Sequence, residues 1–198
     1  MSASEIHRPD VAESRELCIE AHCRELPAVD LVFIDESGTN TNLCPTHGRA
    51  PRGQRVKGHR PFNRGTNQTI VGAIGLTGLL THRVLDGAMT KSRFIEWVKQ
   101  DLVPRLWPGA VVILDNLRAH HAIEAREAVE AVGACMLHLP PYSPDLNPIE
   151  PCWAKLKNFL RKAAARTVEA LRQAIDEGMR QIVASNCQGW FKHCGWTA

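Results

Sequence analysis

No stretch of this 198-residue chain stays apolar for the roughly 20 residues that a bilayer crossing requires, so nothing in it reads as a membrane span. Its start, MSASEIHRPDVAESREL, lacks the apolar core of a secretory leader. Cysteine is present seven times, an odd number without tight pairing. That points to free thiols in a reducing compartment rather than to a disulfide framework. Internal repeats and low-complexity segments are absent. Excess charge is absent too: the net charge is +3, so the overall balance does not demand a nucleic-acid partner. What remains, 44% hydrophobic and 23% charged, is ordinary for a soluble globular protein with one substantial domain, or one domain plus a short appendage.

Hydrophobic patterning orders the chain. Residues 11–26 read as a short amphipathic helix marked by Val11, Leu17, Ile19 and Leu26. LVFID (31–35) is a brief apolar run that stops in acid, as expected of a strand buried on both faces with Asp35 at its end. A Gly-, Pro- and Arg-rich stretch follows, with an extended segment expected near Gln54–Val56. Residues 69–87 read as two strands around a Thr77-Gly78 turn. Thr90 is placed to cap a helix that Pro104 closes. GAVVILD is a second apolar run ending in acid, at Asp115; a helix then runs to Gly133, and ACMLHLP is a further strand. A helix is expected from Pro148 to Ala165, and Thr167 caps a last one carrying Val168, Leu171, Ile175, Met179 and Ile182 inward. The tail, with its two tryptophans, is expected to pack back on the core, carrying Cys187, His193 and Cys194 with it. Strands first, then alternating helix and strand, predict a mixed α/β sheet with helices on both faces.

Three acids stand out against this frame. If the strands ending in Asp35 and Asp115 are adjacent and parallel, both carboxylates emerge at one sheet edge, where ligands of open α/β sheets sit. Two carboxylates held together repel unless a cation offsets them. A single such Asp is best read as a strand end and turn former; the repeated pattern reverses that preference. The third acid is Glu150, in LPPYSPDLNPIEPCW. Asn147 suits an N-cap and Pro148 the first helical position, so Glu150 falls in the first turn, aimed by a stiff approach. An acid there also complements the helix dipole whatever its function. Asp145 competes for the role but lies in the loop, where an Asx-type turn suits it better. Asn116 and His120 follow the second Asp closely and could position water or phosphate, although Asn116 suits a turn equally. His120 and His121 adjoin, yet no Cys or Asp joins them at a zinc-ligand spacing.

The combination of LVFIDESG, VVILDNLRAH and YSPDLNPIEPCWAKLK resembles the catalytic domain of mariner-superfamily transposases, in particular their bacterial insertion-sequence branch. Between Asp115 and Glu150 lie 34 residues, as that family's Asp-Asp-Glu pattern expects. The resemblance implies an RNase H-like fold over residues 30–198, and Asp35, Asp115 and Glu150 as the catalytic, metal-binding acids. It implies DNA strand cleavage at transposon ends and transfer of the 3′-hydroxyl into target DNA. Mg²⁺, or Mn²⁺ in its place, is the expected cofactor, two ions per site about 4 Å apart. Asp35 is expected to bridge both ions, with Asp115 on one and Glu150 on the other. Double-stranded DNA is the expected partner, bound by a homodimer at paired ends, in the bacterial cytoplasm and at the nucleoid.

Two basic clusters fit that partner. One is Arg49, Arg52, Arg55, Lys57, Arg60 and Arg64; the other is Lys155, Lys157, Arg161, Lys162 and Arg166, part of which must be a solvated face because the spacings do not share one side of a helix. A phosphate held at Glu150 would lie near Lys155 or Lys157. Relatives of this kind carry an N-terminal helix-turn-helix region, and fewer than 35 residues precede Asp35. Residues 1–29 are therefore expected to be a linker helix left from such a region, which a separately encoded half could supply, and the chain alone is expected to bind DNA weakly. Two alternatives stand beside this reading: a fragment that keeps the fold without catalysis, and a general RNase H-like nuclease.

Overall fold

Apolar runs too short to form separate layers force the chain to stack them edge to edge. In the computed structural model, which describes residues 5, 8–23, 25–58, 61–62, 65–117 and 120–196, five strands do so. They are β1 (Leu31–Asn40), β2 (Asn67–Gly75), β3 (Gly78–Asp86), β4 (Val111–Leu114) and β5 (Cys135–His138), in the spatial order β3-β2-β1-β4-β5. β2 and β3 run antiparallel to their neighbours, whereas β4 and β5 run parallel to β1. The sheet is mixed, and each parallel step is made through a helical crossover.

Alternation along β1 and β4 divides the core in two. Leu31, Phe33, Val111 and Ile113 face one side, Val32, Ile34, Val112 and Leu114 the other. The second side is covered by α2 (Lys91–Trp97), its π-helical continuation Val98–Leu102, and α3 (Ile123–Glu130) through Phe94, Trp97, Leu102, Ala125 and Val129. The first side is covered by α4 (Ile149–Ala163), α5 (Val168–Met179) and α6 (Ala184–His193). Along α4 the buried residues are Ile149, Cys152, Trp153, Leu156 and Leu160, the i, i+3, i+4, i+7, i+11 spacing of one helical stripe. Thr90 caps α2 through the Arg93 N–H, and Thr167 caps α5 through the Ala170 N–H. The tail returns to the core as expected: Phe191 and Trp196 both meet the ring of Phe33 edge-on at 5.1 Å, and Cys187 and Cys194 are buried.

Several expectations are corrected. β1 does not stop at Asp35 but continues to Asn40, because β2 supplies an antiparallel partner along its whole length, from Val32–Gly75 to Asn40–Asn67. No strand forms near Gln54–Val56, which is coil. The β2–β3 turn lies at Leu76-Thr77, one residue earlier than expected. The N-terminal helix α1 spans Pro9–Cys18 and passes into a π-helical turn, Ile19–Cys23; Val11 is buried as expected, but Leu17 is 61% exposed, and Cys18 and Cys23 are buried in its place. The helix capped by Thr167 is not the last: residues 184–193 of the tail form a further helix, α6. Among the described residues no helix is long and apolar enough to cross a membrane.

Candidate active site

The register of the parallel pair places the first two acids. The ladder pairs Leu31 with Val111, Val32 with Val112 and Phe33 with Ile113. Counting on in register brings Asp35 level with Asp115, just past the end of β4. Asp35 falls on the face of Leu31 and Phe33, the side that α4 covers. Its Oδ2 accepts a hydrogen bond from the Trp153 indole N–H at 2.9 Å. Trp153 lies one turn beyond Glu150 on α4, so both side chains project from the same side of the helix.

The three acids and the proline-rich loop line one open cleft of about 550 Å³, together with Asn116, Tyr142, Ser143 and Asn147. Asp145 is absent from that lining and is instead gripped by Arg15, at 2.6 and 2.9 Å. Glu150 is exposed at the mouth of the cleft. Tyr142 holds φ at 56°, a left-handed conformation that a bulky residue adopts only when its surroundings fix it. The loop runs into the helix almost as expected. Pro148 already has helical dihedrals, and the Asn147 carbonyl accepts the Glu150 N–H at 3.1 Å. The Asn147 side chain does not cap, however: no side-chain bond closes the first turn, and its Oδ1 is buried without a partner.

The carboxylates differ in their surroundings. Burial pushes Asp35 up to about 7, and the nearby Glu150 and Glu36 add to the rise, against hydrogen bonds from the Glu36 N–H and Trp153 that favour the charged form. Asp115 goes the other way. Burial works against its charge, but His120 and the Leu117 N–H (3.0 Å) outweigh it and hold the carboxyl below the usual range. His120 is 2% exposed, with Nε2 2.9 Å from Glu36 and Nδ1 2.7 Å from Asp115; the second contact is an ion pair with a poor hydrogen-bond angle. Burial alone would lower the imidazole, yet the two carboxylates raise it to about 10.

His120 is therefore a buried brace behind Asp115 and does not reach the cleft to position water or phosphate. Asn116 does line the cleft and contacts His121 at 2.9 Å, while His121 stacks on His138 with centroids 4.5 Å apart. Two participants escaped the sequence reading. Glu36 adjoins Asp35 and so faces the opposite side of the sheet, where its carboxylate meets the buried His120 at 2.9 Å; a charged group inside a sheet needs such a partner. Trp153 carried no signal beyond its place on the apolar stripe.

The basic residues divide. Arg49, Arg52, Arg55 and Lys57 lie in the exposed loop after β1, and Arg60 and Arg64 fall outside the described residues. Lys155 is unavailable to a distant phosphate: its Nζ donates to the Gln181 carbonyl at 2.7 Å and to Asn186 at 2.6 Å. Lys157 and Arg161, at i+7 and i+11 from Glu150, share its side of α4. Arg161 also contacts Asn158 at 3.0 Å, and Arg166 anchors the start of the exposed loop through the carbonyls of Thr41 and Leu43.

Among the described residues, no three His, Cys, Asp or Glu side chains close a ready-made cage around a metal ion. The donor set nevertheless fits a hard divalent cation. Mg²⁺ typically takes one or two protein carboxylates and leaves other positions to water and phosphate. The partly buried Asp35, destabilised as an anion by desolvation and further by Glu150 and Glu36, is the kind of carboxylate that a cation would stabilise.

The sequence profile of the DDE superfamily endonucleases matches residues 30–172. No curated protein sequence matches the chain. Among solved structures, the Mos1 transposase paired-end complex with the left transposon end superposes with a TM-score of 0.73 at 16% identity, over 97% of this chain and 61% of that one. The mariner Mos1 paired-end complex with Mg gives 0.71 at 17%, over 98% and 64%. The catalytic domain of Mos1 mariner transposase gives 0.69 at 14%, over 98% and 91%. The chain thus spans about 60% of the length of the paired-end-complex chain. The likeness fixes the fold as RNase H-like, and the profile match over residues 30–172 fixes the family: the chain belongs to the DDE superfamily endonucleases.

Proposed function

We propose that this chain is a transposase catalytic domain of the mariner type. It cleaves DNA at transposon ends with a divalent metal and transfers the freed 3′-hydroxyl into target DNA. The observation that carries the reading is the meeting of Asp35, Asp115 and Glu150, from a central strand, a strand end and a helix start, along one open cleft. The Mos1 relatives, solved with transposon ends, with Mg and with Mn, support the substrate and the cofactor.

Asp35, Asp115 and Glu150 would hold Mg²⁺ or Mn²⁺, two ions per site. When bound, the ions would supply activation of the attacking oxygen and charge stabilisation of the leaving one. The protein's part is positioning. His120 braces Asp115, Trp153 holds Asp35, and the proline-rich loop fixes the start of α4 and with it Glu150. Lys157, Arg161 and the basic loop with Arg52, Arg55 and Lys57 would neutralise the DNA backbone without reading its sequence. Water is the nucleophile for cleavage and the 3′-hydroxyl for joining. No covalent protein–DNA intermediate is required. A homodimer at paired ends and a helix-turn-helix region for end recognition complete the proposed assembly, which acts in the cytoplasm.

The test is incubation of the protein with DNA bearing the terminal repeats of its own element and Mg²⁺ or Mn²⁺, beside Asp115→Asn. Cleavage at the ends that disappears in the variant supports the reading. Failure to cleave even with a partner supplying end recognition contradicts it. Degradation of RNA–DNA hybrid in place of transposon ends would identify a general nuclease.

A further inference from the structure

The indole of Trp153 is 2% exposed, and a buried indole N–H needs an acceptor. Trp196 shows the ordinary solution, donating to the backbone carbonyl of Leu146 at 2.8 Å. Trp153 instead donates to Oδ2 of Asp35, 118 residues away in sequence. Room for this is made at one place. Gly72 is the residue paired with Asp35 across the β1–β2 ladder, and a Cβ on Gly72 would stand 2.9 Å from Cη2 of Trp153. A side chain there would lift the ring off the sheet and carry the N–H away from the carboxylate.

From this arrangement we propose that Trp153, seated over Gly72, is a positioning residue that commits Oδ2 of Asp35 to the protein and leaves Oδ1 to face the cleft. The proposal rests on the reading of Asp35 as a metal ligand. It also explains how the first and third acids keep a fixed relation. Glu150 and Trp153 are one turn apart on α4, so a single rigid turn of helix carries one acid and orients the other. A core role alone would require the ring but not the carboxylate acceptor. Partners that orient a ligating carboxylate typically alter metal affinity by about 10–100-fold when removed.

The experiment is Mn²⁺ binding followed by electron paramagnetic resonance, with the melting temperature recorded for every variant. Trp153→Phe keeps an aromatic ring over Gly72 and removes only the donor. It is expected to weaken Mn²⁺ binding by about 10-fold or more while melting within a few degrees of wild type. Gly72→Ala is expected to weaken Mn²⁺ in the same way by displacing the ring. In parallel, the indole ¹H–¹⁵N resonance of Trp153 should move in Asp35→Ala, which removes the acceptor without touching the tryptophan. Wild-type Mn²⁺ affinity in a folded Trp153→Phe overturns the proposal and leaves the metal reading intact. Absence of Mn²⁺ binding by the wild type overturns the metal reading and the proposal with it. An unmoved indole resonance overturns the contact itself, even if Trp153→Phe does not fold.

Discussion

The guanidinium of Arg15 closes on the carboxylate of Asp145, with Nη2 2.6 Å from Oδ2 and Nη1 2.9 Å from Oδ1. The same Nη1 reaches the Ser143 hydroxyl at 2.8 Å. Helix α1 is thereby fastened to the loop that aims Glu150. It also gives Asp145 a purpose separate from the cleft: Arg15 holds its carboxyl below the usual aspartate range. A depressed carboxyl contributes stability at neutral pH that is lost on acidification through its folded pKa.

Removing that clamp should loosen the loop before it unfolds the protein. Arg15→Ala is expected to cost only about 1 kcal/mol, since Asp145 is half exposed. Hydrogen exchange over residues 141–147 should nevertheless quicken, and cleavage should fall several-fold. Unchanged exchange in that segment would show that α1 merely rests on the loop.

His120 should behave as a buried brace. His120→Ala leaves Glu36 and Asp115 facing each other without a cation, a loss on the order of 3–5 kcal/mol, measurable by urea unfolding. The imidazole is raised from 6.5 to about 10. Its contribution is therefore complete below about pH 6.5 and disappears as pH rises through about 10. The wild-type melting temperature should fall across that window, and His120→Ala should lack that part of the slope.

Asp35 should destabilise the metal-free protein. Its carboxyl is raised from 3.8 to about 7, so the associated stability is present in acid and lost as pH rises through about 7. At pH 8 without metal, Asp35→Asn should melt higher than wild type by roughly 3–8 °C. Added Mg²⁺ should raise the wild-type melting temperature and leave the variant unmoved. A variant that melts lower than wild type would show that the carboxylate is already compensated.

The lysines of α4 should separate cleanly. Lys157→Ala is expected to weaken DNA binding regardless of sequence and to reduce the salt slope by about one. Lys155→Ala should leave DNA affinity alone and lower the melting temperature, because Gln181 and Asn186 lose their donor. The reverse pattern, read by fluorescence anisotropy across a salt series, would move the DNA path off this side of the helix.

What could be read from the sequence was whatever a short stretch decides by itself. An apolar run that meets an acid marks where a carboxylate leaves the core, and that is legible at both Asp35 and Asp115, although only β4 stops there. Thr90 and Thr167 announce caps because capping needs only the next three residues. Features that depend on a distant partner were silent. β1 continues through Ser37, Gly38 and Thr39 only because β2 pairs with them. The last helix, α6, lacks a clear apolar period and is held by Phe191 and Trp196 against Phe33. The places of Trp153 over Gly72 and of Glu36 beside His120 join segments 81 and 84 or more residues apart, and only the folded sheet brings them together.

The central claim is that Glu150, and not its neighbour Asp145, completes the set of acids. The measurement is the Mn²⁺-dependent cleavage rate on DNA carrying the terminal repeats, for wild type, Glu150→Gln and Asp145→Asn side by side. Glu150→Gln should lose activity by about 100-fold or more, the scale of one transition-state interaction of roughly 3 kcal/mol. Asp145→Asn should retain activity within several-fold. Wild-type rates in Glu150→Gln, or the large loss appearing in Asp145→Asn instead, would contradict the account.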